Sequence, residues 1–232
     1  MCPVKIKKLD ILFRDESLVS INFTINQSLA LVGQSGSGKS LTLKALLGML
    51  PTGMHADIEL DSDFELLRGE TLSFVPQNPF TALSPLTRLR DHFMVDRERQ
   101  EELVKMVGLS SELLDRFPPE LSGGQLQRMV IMLALEKTPK LMLLDEPTTA
   151  LDPATRTLII ELLKYLQEEL GFKMLFVTHD MESAKGLCED IVVIKEGRVV
   201  ESGNLFRVIS NPQEDYTKVL IDSNFAHREF RT

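Results

Sequence analysis

The chain has 232 residues, 43% hydrophobic and 26% charged, enough apolar material for one substantial core or for one core with a smaller attached lobe. Its formal net charge of -8 speaks against a nucleic-acid backbone as the main partner, because such binding draws on clustered Lys and Arg. No stretch approaches the roughly 18 consecutive apolar residues of a membrane-spanning helix, and the run from Met1 to Lys8 lacks the apolar centre of a signal peptide, so a soluble cytosolic chain is expected.

Alternating apolar positions predict antiparallel strands over Val4 to Phe13 and Ser20 to Ile25. After the turn at Asn26-Gln27, where Asn suits a left-handed backbone, the run Leu29 to Val32 predicts a buried strand feeding into a glycine loop. Leu41 to Leu50 continues as a predicted helix stopped by Pro51. Thr71 to Val75 reads as a further strand, Pro76, Pro79 and Pro85 mark an irregular segment, and helical patterns dominate from about 86 to 137. Within them Leu126, Met129, Val130, Leu133 and Ala134 recur at helical spacing while Ile131, Met132 and Leu135 fall on other faces, which predicts a helix sandwiched between neighbours. Leu141 to Leu144 and Met174 to Val177 read as buried parallel strands joined by a helix with Asp152 as N-cap, Pro153 at its first position and Gly171 just past its end. Ile191 to Ile194 and Arg198 to Glu201 flank Lys195-Glu196-Gly197 as a short hairpin. Cys2 and Cys188 have no His or Cys at metal-ligand spacing and read as two reduced thiols.

The loop Gly33-Gln34-Ser35-Gly36-Ser37-Gly38-Lys39-Ser40 carries the most specific chemistry. Its glycines let backbone amides turn inward around a β-phosphate, and the following helix, with Leu41 in its first turn, aims its positive end at the same anion. Lys39 is suited to bridge β- and γ-phosphates and Ser40 to ligate Mg²⁺. A glycine turn before an ordinary helix is the plainer reading, and the full match between a strand and a helix argues against it. Asp145 and Glu146 follow an apolar strand, a position suited to a carboxylate that holds the metal through its water shell and another that orients or deprotonates the attacking water. Ser122, Gly123 and Gly124 precede a helix and form a second anion-binding terminus, one more than a single chain needs for one γ-phosphate.

In this order and spacing, the phosphate loop, Gln77, Leu121-Ser122-Gly123-Gly124-Gln125, Asp145-Glu146 with Pro147, Thr148, Ala150, Leu151 and Asp152, and His179 resemble the ATP-binding cassette (ABC) family almost end to end. The resemblance implies an α/β fold with a P-loop NTPase (RecA-like) core, an antiparallel β subdomain and an inserted α-helical subdomain, with 1–77 and 138–232 as core and 78–137 as the helical part. It implies ATP and Mg²⁺ as cofactors, with Ser40, Gln77 and Asp145 toward the metal, Glu146 as catalytic base, His179 as switch histidine and Gln77 as the Q-loop glutamine. Leu121 to Gln125 would act in trans across a head-to-tail dimer, with Ala150, Leu151 and Asp152 as the D-loop. Phe13 is placed either as the aromatic stacking on adenine or as an ordinary core residue.

Two further stretches, Gln77 to Pro85 and Pro212-Gln-Glu-Asp-Tyr216-Thr217-Lys-Val-Leu220, look like the nickel, dipeptide and oligopeptide importer branch. The compact length and Gly48-Met-Leu-Pro-Thr-Gly53 are more similar to its nickel-import subunits, with peptide import as the alternative. Implied partners are integral membrane permease subunits, a cytoplasmic helix of which is received in a groove lined by residues 78–95, a second ABC ATPase that is self or a paralogue, and an extracytoplasmic solute-binding protein through the complex. No nucleic-acid partner is implied, and the location is peripheral, on the cytoplasmic face of the inner membrane. Cargo passes through other subunits, and His55, His92, His179 and His227 show no ligand spacing. Chromosome-maintenance relatives would need long coiled coils between phosphate loop and signature, and translation factors of the family carry two cassettes.

Overall fold

The computed structural model describes residues 2–226, with side chains through Ser223. Contacts divide the chain into two compact units, one running to Leu66 and resuming at Lys173, the other spanning Leu67–Phe172.

In the first unit, β1 (Val4–Phe13) lies between β2 (Glu16–Ile25) and β4 (Met54–Asp61) in a three-stranded antiparallel sheet. Alternation buries Val19, Ile21, Phe23 and Ile25 of β2, and in β1 it buries Val4 and Ile6, then Leu9 and Ile11 after a register shift between Ile6 and Leu9. The β1–β2 turn has both central residues, Arg14 and Asp15, at positive φ, the twist that suits a two-residue hairpin. β4 was not among the predicted strands, although Met54, Ala56, Ile58 and Leu60 alternate with polar residues. Pairing sets Asp10 opposite Asp57, a like-charge conflict that Lys8 relieves by donating to Asp57 at 2.6 Å. That bond with Asp57, and the attraction behind it, raise the Lys8 pKa above its ordinary value.

The same unit holds β3 (Ser28–Val32), flanked in parallel by β7 (Lys173–Thr178) and β8 (Asp190–Lys195), with β9 (Arg198–Asn204) antiparallel beyond β8. β3 and β7 are buried at every position, which is why they read as unbroken apolar runs. The β8–β9 turn is a second hairpin with two positive φ angles, at Glu196 and Gly197. Asn26 does not use the left-handed backbone that an Asn can tolerate. Its amide donates to Asp190 at 2.8 Å and its carbonyl accepts from Lys173 Nζ, so side-chain bonding fixes that turn in place of backbone handedness.

Helix α1 (Lys39–Leu46) ends four residues before the predicted Leu50. Gly48 at φ 61° closes it, with its N–H on Ala45 O at 2.9 Å and the Met49 N–H on Lys44 O at 2.8 Å, so a glycine cap stops the helix ahead of Pro51. α5 (Met181–Leu187), α6 (Leu205–Ser210) and α7 (Asp215–Ala226) complete the unit. Burial pushes the Cys188 thiol far above its ordinary range, helped by Asp190 and Glu189, whereas Cys2 is exposed. His227 lies outside the described residues.

The second unit pairs β5 (Leu72–Val75) in parallel with β6 (Leu141–Asp145). Short 3₁₀ turns lie at Pro79–Thr81, Leu89–His92, Ser111–Asp115 and Pro118–Glu120, the first and last opening on a proline. Three helices accompany them. α2 (Arg97–Met106) is capped by Asp96, α3 (Gly123–Ala134) by Ser122, and α4 (Pro153–Leu170) by Asp152 with Gly171 at φ 70° past its end. α3 buries Leu126, Met129, Val130, Ile131 and Met132, apolar on more than one face as its sequence predicts.

Gly48 and Gly197 share a positive φ but differ in surroundings. A Cβ on Gly48 would meet nothing within 4 Å, whereas one on Gly197 would sit 2.0 Å from Leu18 O. G48A is expected to cost about 1 kcal/mol and G197A several times more, measured as shifts of the urea unfolding midpoint.

Candidate functional site

Parallel pairing brings the chemistry of the first unit to one sheet edge. Val32 is the register partner of Thr178, so the chain leaves β3 into Gly33 and leaves β7 into His179 side by side, at the carboxyl ends of neighbouring strands. The loop from Gly33 to Gly38 then turns into α1. Gly36 and Gly38 have φ of 82° and 107°. A side chain at Gly33 would strike Ile194 O at 2.3 Å, and one at Gly38 would strike Val19 Cγ2 at 2.7 Å.

Lys39 is 6% exposed, and its ammonium donates to Gly33 O at 2.7 Å and Gln34 O at 3.0 Å. A buried cation held on loop carbonyls is the charge that an entering phosphate would meet. Within the loop, Ser37 N–H donates to Gln34 O at 3.2 Å, while Gln34 and Ser35 are exposed. Ser40 stands exposed in the first turn of α1, followed by half-buried Leu41.

Two contacts on the loop were not foreseen in the sequence. Gly197 of the β8–β9 turn donates its N–H to Ser37 O at 3.0 Å, and the Gln34 N–H donates to the Tyr216 hydroxyl at 3.0 Å. Tyr216 belongs to a stretch singled out only as a branch mark, so its place on the loop had no local signal.

His179 is exposed, and the residues around it are fixed. Thr178 Oγ1 accepts from the Asp180 N–H at 2.9 Å, and Asp180 caps α5 through Glu182 N–H at 3.1 Å and Ser183 Oγ at 2.6 Å. Phe13 is half-buried at the end of β1, with the Arg14 guanidinium 5.1 Å from its ring centre.

In the second unit the register partners Val75 and Leu144 again align two carboxyl ends, so Gln77 and the Asp145-Glu146 pair emerge together. Asp145 ends β6, and Glu146 follows at φ 45°, a left-handed backbone that costs a non-glycine residue energy. Its carboxylate accepts from Thr149 Oγ1 at 2.9 Å and from Gln77 Nε2 at 3.4 Å. Sequence reasoning missed Thr149. The signal was its place three residues after a carboxylate in a turn, which the Thr149 N–H to Glu146 O bond of 3.2 Å closes.

Residues 121–125 and the turn that leads into α4 meet within this unit. Leu121 is buried, and Ser122 with Gln125 forms a reciprocal cap, Gln125 N–H to Ser122 Oγ at 3.3 Å and Ser122 N–H to Gln125 Oε1 at 3.0 Å. A Cβ on Gly123 would lie 3.9 Å from Leu151, and one on Gly124 would lie 2.6 Å from Thr155 Cγ2, so the second glycine is required by the start of α4. Asp152 accepts from the Thr155 N–H at 3.1 Å, and the Thr155 hydroxyl and amide hold its carboxyl below the usual carboxylate range. Ala150 and Leu151 complete the turn, with Leu151 N–H on Thr148 O at 3.2 Å.

The pattern of the ABC transporter family matches residues 18–149, more than half of the chain. A dipeptide transport ATP-binding protein (DppF) of Haemophilus influenzae is 35% identical over 241 residues, covering 95% of this chain and 71% of its own length. A nickel import ATP-binding protein (NikD) of Brucella abortus is 34% identical over 227 residues, covering 90% of this chain and 87% of its own. Among solved structures, a protein from Clostridium perfringens that is part of the ABC transporter complex cbiONQ superposes with a TM-score of 0.76 at 27% identity, over 90% of each chain. An ATP-binding cassette solved as a dimer in a post-hydrolysis state, with ADP and Pi bound, gives 0.68 at 31% identity over 87% of this chain and 98% of its own.

A glycine loop around a buried lysine, a carboxylate pair at a strand end and these likenesses together define an α/β P-loop ATPase with the ATP-binding cassette fold. The chain belongs to the ABC transporter family.

Proposed function

We propose that this ATPase is the energy-coupling subunit of an importer for nickel, free or chelated, and that its ATP is hydrolysed at a head-to-tail dimer interface. The observation that carries the hydrolytic reading is the Glu146 carboxylate, steered by Thr149 at 2.9 Å and Gln77 at 3.4 Å. In this reading the amides of Gly33 to Ser40 and the Lys39 ammonium bind the β- and γ-phosphates, and Glu146 takes the proton of the attacking water. His179 orients the γ-phosphate. Leu121 to Gln125 and the D-loop residues Ala150, Leu151 and Asp152 serve the partner's nucleotide. Phe13 stacks on adenine, its ring already covered on one side by Arg14.

The Mg²⁺ donors would be the Ser40 hydroxyl, the Asp145 carboxylate and the Gln77 amide oxygen, whose nitrogen serves Glu146. All are hard oxygen atoms, and with one carboxylate among them they suit a cation that keeps waters and phosphate oxygens as its other ligands. The bound metal would neutralise developing charge on the phosphates.

No helix among the described residues is long and apolar enough to cross a membrane, so in this reading separate permease subunits supply the path. Residues 78–95 receive a cytoplasmic segment of those subunits. Phe80, Leu86 and Met94 support that role, for these apolar side chains are 56%, 88% and 86% exposed in that stretch. The partner ATPase is a second copy or a paralogue, and an extracytoplasmic solute-binding protein delivers cargo. The helical subdomain is taken as 78–137, within a core of 1–77 and 138–232. Peptide cargo is the second reading, favoured by the 35% identity to a dipeptide transport relative.

Glu146→Gln is expected to lower turnover about 10²–10⁴-fold while allowing a stable ATP-bound dimer, and wild-type turnover in a purified variant would remove Glu146 from the base role. Thr149→Val is expected to lower kcat about tenfold with little change in KM, since one hydrogen bond to a charged group is lost, and Thr149→Ser to restore it. For cargo, the ATPase rate of the complex in lipid with its binding protein is compared with nickel, a nickel chelate and short peptides. Stimulation by nickel is expected, and stimulation by peptides alone would transfer the assignment to peptide import.

A further inference from the structure

The stretch Pro212 to Leu220 enters no step of the reaction above, yet it reaches the phosphate loop. Tyr216 lies in the first turn of α7, and its hydroxyl accepts the Gln34 N–H at 3.0 Å. That N–H shares a peptide plane with Gly33 O, which accepts the Lys39 ammonium at 2.7 Å. One peptide group is thus held on both sides, by a cation on its oxygen and a phenol on its nitrogen. Each bond polarises the plane in the sense that strengthens the other.

The tyrosine is itself held. Lys195, the last residue of β8, lies with its ammonium 5.3 Å from the ring centre. Thr217, next to it, is completely buried. The start of the helix is seated on Glu201 of β9, whose carboxylate accepts the amides of Gln213 at 2.9 Å and Glu214 at 3.2 Å. The same β8–β9 hairpin donates Gly197 N–H to Ser37 O at 3.0 Å. Two elements from the far end of the chain therefore fix the loop at Gln34 and at Ser37.

We propose that Tyr216 is a positioning residue for nucleotide binding, holding the Gly33–Gln34 peptide in the orientation the phosphate site requires when Lys39 turns toward a phosphate. The proposal rests on the reading of Gly33 to Ser40 as the phosphate site. Without the hydroxyl the plane loses its anchor on the nitrogen side, and nucleotide binding must then order it. The loss appears in affinity and leaves the chemical step alone, because Tyr216 touches neither the γ-phosphate nor the water in this scheme.

The test uses the purified chain with Mg²⁺ and a fluorescent ATP analogue. One neutral hydrogen bond corresponds to about a 2–10-fold change in affinity. Y216F is expected to raise the dissociation constant and the KM for ATP by that factor, with kcat within twofold of wild type and an unchanged melting temperature. Lys195→Gln, which leaves the hydroxyl but removes the cation over the ring, is expected to shift affinity the same way by less, and serves if Y216F fails to fold. Wild-type affinity in Y216F beside lost binding in Lys39→Ala would overturn the positioning role and keep the phosphate site. Wild-type binding in Lys39→Ala would instead remove the phosphate-site reading on which the role depends. A lowered melting temperature at unchanged affinity would make Tyr216 a packing residue only.

Discussion

An ammonium group taken almost wholly out of water must be met by oppositely polarised atoms, and Lys39 sets that requirement for the loop around it. The carbonyls of Gly33 and Gln34 meet it only because the chain doubles back on itself, and the doubling back is open to glycine at Gly36 and Gly38. Gly33 answers a different demand, the close approach of Ile194 O. The loop in turn needs a rigid base, which β3 provides as a strand buried on both faces between β7 and β8. The order of dependence runs from a charge, to a backbone path, to a buried strand.

Each unit solves its positioning problem with the same geometry. Parallel strands in register end together, so whatever follows them is delivered to one edge. In the first unit this aligns the phosphate loop with His179, and in the second it aligns Gln77 with Asp145 and Glu146. Turn and cap bonds then set the angles. Thr149 steers Glu146, Asp180 caps α5, and Thr155 holds Asp152 while occupying the space that Gly124 leaves open. Side chains that look like spacing in the sequence are the ones that hold the chemical groups still.

Legibility in the sequence followed the locality of the physics. β3 and β7 were readable as apolar runs because both faces are covered, and α4 was readable at both ends because Asp152, Pro153 and Gly171 each act within a turn. The places of the glycine loop between β3 and α1 and of the carboxylate pair at the end of β6 were legible because glycines and paired carboxylates stand directly after apolar runs. The end of α1 falls short of Pro51 because Gly48 has already closed the helix, and a proline marks where a helix cannot continue, not where it stops. β4 carried an alternating signal that its Asp and Glu residues obscured. Asn26 looked like a residue chosen for backbone freedom, but it is held by partners in β7 and β8. Tyr216 on Gln34 joins positions far apart in the chain, and no periodicity or spacing rule encodes such a bond.

Glu146 occupies a left-handed backbone that a side chain with Cβ resists by about 1 kcal/mol. Glycine or asparagine would sit there with less strain, so selection for folding stability alone would drift the position away from glutamate. A long carboxylate at such a φ fits the base role proposed for Glu146, in which stability is traded for reactivity. It also means that repair of the strain and loss of the carboxylate come in a single substitution, so under the base role proposed for Glu146 a variant stabilised at this position would keep the capacity to bind nucleotide while ceasing to turn it over.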